Sequence, residues 1–76
     1  MIDIRKMLGY RLISAMTERH MMRTQLADRV GIHYHTLESY LYGTFPKLET
    51  FYNLCEALDV SADYLLGRTD KMEVRK

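Results

Sequence analysis

From residue 23 to residue 43 the chain reads Arg23-Thr24-Gln25-Leu26-Ala27-Asp28-Arg29-Val30-Gly31-Ile32-His33-Tyr34-His35-Thr36-Leu37-Glu38-Ser39-Tyr40-Leu41-Tyr42-Gly43. Leu26, Ala27 and Val30 fall at helical spacing, and Gly31 follows them as a residue able to take positive φ. Leu37, Tyr40 and Leu41 form a second apolar stripe, closed by Gly43. The spacing predicts two helices, about Arg23 to Val30 and about Tyr34 to Tyr42, joined by a short turn containing glycine. Two short helices so joined are a helix-turn-helix arrangement. Helices of this length are unstable alone, so each must be held by neighbours.

The flanking sequence supplies those neighbours. A helix is expected from about Asp3 to Arg19, with Met7 or Leu8, Leu12, Ala15 and Met16 on one face. Asp3 suits its N-cap, and Arg19 and His20 suit the negative pole at its end. Gly9 lies inside this helix, where it costs up to about 1 kcal/mol unless another helix must approach closely. After the turn Thr44-Phe45-Pro46, a fourth helix is expected over about Lys47 to Leu58, with Leu48, Phe51, Leu54, Cys55 and Leu58 inward. Asp59 is placed for a left-handed stop. Ser61 caps a last short helix, Ala62 to Leu66, ended by Gly67. No segment alternates as a strand does. The expectation is an all-α domain over residues 1–69 with a loose polar tail over residues 70–76.

Composition narrows the function. At 76 residues the chain is one domain, near the size where a single core is only marginally sufficient. One cysteine cannot form an internal disulfide and is too few for a zinc site, which points to a reducing, cytoplasmic compartment. Charged residues interrupt positions 3–19, so neither a signal peptide nor a membrane span is expected. No glycine-rich phosphate loop or carboxylate dyad stands out, and neither an enzyme nor a cofactor is expected. His33 and His35 lie two apart and lack a completing cluster, so no metal site is expected. Cys55 reads as a core thiol. A net charge of +1 offers no general attraction for nucleic acid.

The order and spacing of several motifs resemble the Cro/cI-type (XRE) helix-turn-helix family of DNA-binding regulators. They are Gln25-Leu26-Ala27-Asp28-Arg29-Val30-Gly31-Ile32, then Leu37 and Gly43, then Pro46-Lys47-Leu48-Glu49-Thr50-Phe51, then Ala57 to Gly67, so the likeness covers about residues 4 to 67. The resemblance implies a compact five-helix, lambda-repressor-like domain whose third helix enters the major groove of double-stranded DNA. Carried onto this chain, base reading falls on Tyr34, His35 and Ser39, with Thr36 and Glu38 nearby. Phosphate contacts fall on Arg23, Tyr42, Thr44 and Lys47. The residue types suit these roles, since Tyr, His and Ser can both donate and accept at base edges. The family also implies a homodimer on a near-palindromic operator, acting as a repressor. Its contact is expected to involve Tyr64, Leu65 and residues 67–72, Met72 among them. No small-molecule ligand is expected. A second reading is a protein-binding module, such as the antitoxin half of a toxin–antitoxin pair or an adaptor.

The chain departs from the family pattern at several positions. Many members pair an Arg of the first helix with a Glu late in the third; here these positions are Met16 and Leu41. An ion pair replaced whole by apolar groups can be neutral, whereas losing one partner costs about 3–5 kcal/mol. The double change therefore predicts that Met16 and Leu41 meet. Met22 and Lys47 stand where capping residues usually start the second and fourth helices, His20 replaces a glycine, and the third helix lacks Lys and Arg. Arg23 and Lys47 belong on the DNA face, with Asp59, Asp63, Asp70 and Glu73 far from it; Glu38 is the exception.

Overall fold

The computed structural model describes residues 3–73. Five α-helices follow one another: α1 Ile4–Glu18, α2 Arg23–Val30, α3 Tyr34–Leu41, α4 Leu48–Leu58 and α5 Ala62–Leu65. Asp3 caps α1 by accepting from the Arg5 N–H at 3.0 Å, and Ser61 caps α5 by accepting from the Tyr64 N–H at 3.0 Å. Gly31 and Asp59 take the left-handed conformation that ends α2 and α4. Each cap predicted from these four residues is present.

The core is one cluster. Leu8, Leu12, Leu26, Leu37, Leu54, Leu58, Val60 and Leu65 are fully enclosed within it. Helix α1 packs on α3 and α5, α2 on α3 and α4, and α4 on α5. Met16 and Leu41 are both buried in this cluster. Gly9 is placed where α1 crosses α3. A Cβ added there would lie 2.4 Å from the Leu41 carbonyl oxygen, so only glycine permits the approach.

Several expectations are corrected. Leu48 is 82% exposed instead of inward, because it is the first residue of α4 and sits before the helix turns onto the core. Thr50 takes the buried position on that turn. The polar segment from Asp70 is not loose over residues 70–72. Arg11 Nη1 donates to the Thr69 carbonyl at 3.2 Å, and Nη2 pairs with Asp70 at 2.9 Å. The Ser61 N–H donates to the Met72 carbonyl at 2.7 Å, and the Met72 side chain packs against the core. The rest of the expected tail, residues 74–76, lies outside the described residues.

Two side-chain contacts repair ends that the sequence leaves bare. Gln25, three residues into α2, accepts from the Met22 N–H at 2.8 Å, which supplies half of a capping box where Met22 itself cannot cap. Arg19 donates to the carbonyls of Leu58 and Asp59 at 3.0 and 2.9 Å, placing a positive charge at the C-terminus of α4. His20 adopts φ 53°, a strained left-handed conformation that a glycine would take freely.

Candidate functional site

The exposed side of α3 carries the polar residues, because Leu37, Tyr40 and Leu41 commit the opposite side to the core. The helix begins at His33, whose Nδ1 accepts from the His35 N–H at 3.2 Å. Since His33 is extended and not helical, its ring is free to swing back. It stacks on His35 with centroids 5.2 Å apart, and Tyr34 meets His35 edge-on at 5.8 Å. Three rings thus cluster at the first turn of α3. Capping by His33 has no strong sequence signal, because histidine is a rare cap.

Glu38 stands one turn further on. Its carboxylate lies 3.5 Å from His35 Nδ1 and 3.5 Å from Arg23 Nη1, reaching across from α3 to the start of α2. Arg23 also donates to the Tyr42 hydroxyl at 3.4 Å. That hydrogen bond is the main cause holding the guanidinium above its ordinary pKa. His35, Glu38, Arg23 and Tyr42 therefore form one surface network joining α2, α3 and the turn after α3. Ser39 is half-buried and spends its hydroxyl proton on the Thr36 carbonyl at 2.6 Å. Its oxygen lone pairs remain as acceptors. Thr36 and Tyr34 are half-buried, whereas His35, Tyr42, Thr44 and Lys47 are exposed.

The structure brings Tyr34, His35, Glu38, Arg23 and Tyr42 together; among the described residues no side-chain hydrogen bond or ion pair joins Thr44 or Lys47 to that network. The expected dimer contact fares differently. Tyr64 is 4% exposed and Leu65 0%, so both belong to the chain's own core and offer no surface to a second copy. Arg11 lies over the Tyr64 ring, 4.4 Å from its centroid, and covers it further. Met72 is partly buried against the same core.

No group of three His, Cys, Asp or Glu is placed to hold a metal ion among the described residues. No helix among them is long and apolar enough to cross a membrane. Burial pushes the Cys55 thiol up to about 11, so it stays protonated and poorly nucleophilic at neutral pH. The groove over it is lined by Leu48, Phe51, Tyr52 and Val60, and none of its lining residues is a histidine. Because the folded pKa is raised from 9.0 to about 11, this group favours folding fully below pH 9. As pH rises from about 9 to 11 the unfolded chain ionises first and that contribution is lost. Alkaline unfolding by denaturant should thus show a stability decline across this window that Cys55→Ala lessens; an identical decline in the variant would refute the assignment.

Comparison with known proteins gives a family match. A family model described as a Cro/C1-type HTH DNA-binding domain matches residues 11–71. Nothing matches among curated proteins or solved structures.

Proposed function

Because the chain belongs to the Cro/C1-type helix-turn-helix DNA-binding family, we propose that it is a sequence-specific transcriptional repressor that sets α3 into the major groove of an operator. The observation that carries this reading is the network across the helix-turn-helix: Arg23 at the start of α2 is tied to Glu38 of α3 and to Tyr42, and Glu38 in turn lies against His35. It holds a phosphate-seeking cation beside side chains that can address base edges. Tyr34, His35 and Ser39 read bases in this arrangement, with Thr36 and Glu38 beside them. Arg23, Tyr42, Thr44 and Lys47 contact phosphates.

Glu38 gives the network its character. A carboxylate facing a polyanion repels it unless it accepts from a base amino group, as Glu does from cytosine N4. Meanwhile it competes with phosphate for Arg23. Two consequences can be measured by titrating DNA of selected and random sequence over a salt series. Arg23→Ala should weaken all sequences alike and lower the salt slope by about 1. Glu38→Gln should instead tighten binding to random sequence while reducing discrimination at one base pair by about 1–3 kcal/mol. A failure of the native chain to bind any sequence selected from a random pool would defeat the reading.

The proposed repressor acts as a homodimer. One copy measures 28 Å in its longest dimension and carries one α3. Reading two half-sites about 34–36 Å apart takes two copies. With Tyr64 and Leu65 enclosed, the contact between copies must use other surface, with Met72 and the segment around it still available in part. Occupying a near-palindromic operator would block polymerase sterically.

A further inference from the structure

The first turn of α1 lies beside the turn that follows α3. Arg5 and Lys6 share a surface cleft with Leu41, Tyr42 and Gly43. The close crossing of α1 and α3 at Gly9 fixes this neighbourhood. Tyr42 stands between two cationic groups, since it lines this cleft and its hydroxyl also receives the Arg23 hydrogen bond at 3.4 Å.

The charges differ in how they are engaged. Arg23 is matched by Glu38 at 3.5 Å. Arg5 and Lys6 are exposed and form no ion pair among the described residues. Asp3 also lines the cleft, but one of its oxygens is engaged as the α1 cap by the Arg5 N–H. A guanidinium and an ammonium thus stand beside Tyr42, unmatched, on a chain whose net charge is only +1. Both precede the stretch matched by the family, which starts at residue 11.

We propose that Arg5 and Lys6 bind DNA phosphodiesters, extending the backbone contact from Arg23 through Tyr42 onto the start of α1. This rests on the DNA-binding reading above and adds a second, sequence-independent anchor to it. Two flexible cations lining the same cleft as an exposed tyrosine suit backbone oxygens, which need charge and donors but no fixed base geometry. The anchor also answers the charge problem. The phosphate-facing charge of α2 is partly offset by Glu38, and α3 has no Lys or Arg. A separate cationic edge restores attraction without altering base readout.

The test is fluorescence anisotropy with a short labelled duplex of random sequence, between about 50 and 200 mM salt. Each phosphate contact contributes about 0.9 to the salt slope, so the double variant Arg5→Ala/Lys6→Ala should lower it by about 0.9 to 1.8. Affinity near 0.1 M salt should fall about 8- to 60-fold by the same relation. Arg29→Ala, an exposed cation in the last turn of α2 outside the cleft and the assigned contacts, serves as the control and should change neither quantity. Arg5→Lys/Lys6→Arg should retain the native slope. Because both side chains are exposed, thermal melts of all variants should coincide with the native one. A double variant with native slope and affinity would overturn the proposal while leaving the DNA-binding reading intact. A native chain that binds no duplex would overturn both.

Discussion

Gly9→Ala is expected to destabilise the domain by about 2–3 kcal/mol, although alanine is the better helix former by nearly 1 kcal/mol. The added Cβ would fall 2.4 Å from the Leu41 carbonyl oxygen and 3.0 Å from its carbonyl carbon. Those are backbone atoms of α3, so no side chain can rotate away. Relief requires α1 and α3 to separate, which opens the contact that also holds Leu8, Leu12 and Leu37. For a domain of this size each kcal/mol shifts Tm by about 4–8 °C, so a drop of about 10–20 °C should appear in a thermal melt. A melt equal to or above the native one would show that α1 and α3 do not meet this closely. The variant should also bind DNA more weakly, because α1 sets the position of α3.

The second large effect concerns Arg11. Its side chain is only 13% exposed, reaches the Thr69 carbonyl and Asp70, and covers the Tyr64 ring. Asp70 contributes most to holding the guanidinium above its ordinary pKa, yet its carboxylate is 99% exposed. An ion pair to so exposed a partner is worth little. The weight falls on the carbonyl hydrogen bond and the cation–π contact, which together contribute about 2 kcal/mol. Part of this is offset by the buried Nε, which has no partner among the described residues. Arg11→Ala should therefore cost about 1–2 kcal/mol in urea denaturation, whereas Asp70→Asn should stay within about 0.5 kcal/mol. Amide exchange supplies a local readout. The Ser61 N–H, bonded to the Met72 carbonyl, should exchange faster in Arg11→Ala as residues 69–72 come away. Equal losses in the two variants would mean that the ion pair itself fastens the segment.

Much of the candidate site was legible before folding was considered. The exposed positions of α3 follow from the buried ones, because a helical period that commits Leu37, Tyr40 and Leu41 inward leaves His35 and Glu38 outward. Arg23 was legible as a cation at a helix start. Its ties to Glu38 and Tyr42 were not, since they span 15 and 19 residues and depend on how α2 meets α3. Leu48 misled for a related reason. Its place in the apolar stripe of α4 was right, but at the first turn a stripe points past the edge of the core. Tyr64 and Leu65 were assigned to a surface that the returning segment and Arg11 cover.

Local chemistry settled the five helices and the ends marked by Asp3, Gly31, Asp59 and Ser61, because caps, glycine stops and apolar spacing act within a few residues. Asp3, Gly31, Asp59 and Ser61 all behave as their types dictate. The family followed from the order of those signals, and the match over residues 11–71 agrees with it. Tertiary structure decided what depends on contacts far apart along the chain. It determined that Gly9 is indispensable at a crossing, that Arg11 fastens residues 69–70, and that Arg5 and Lys6 come to stand beside Tyr42. Such contacts join elements whose spacing in sequence carries no information about their spacing in space. Only the packing of α1 against α3 and α5 brings them together.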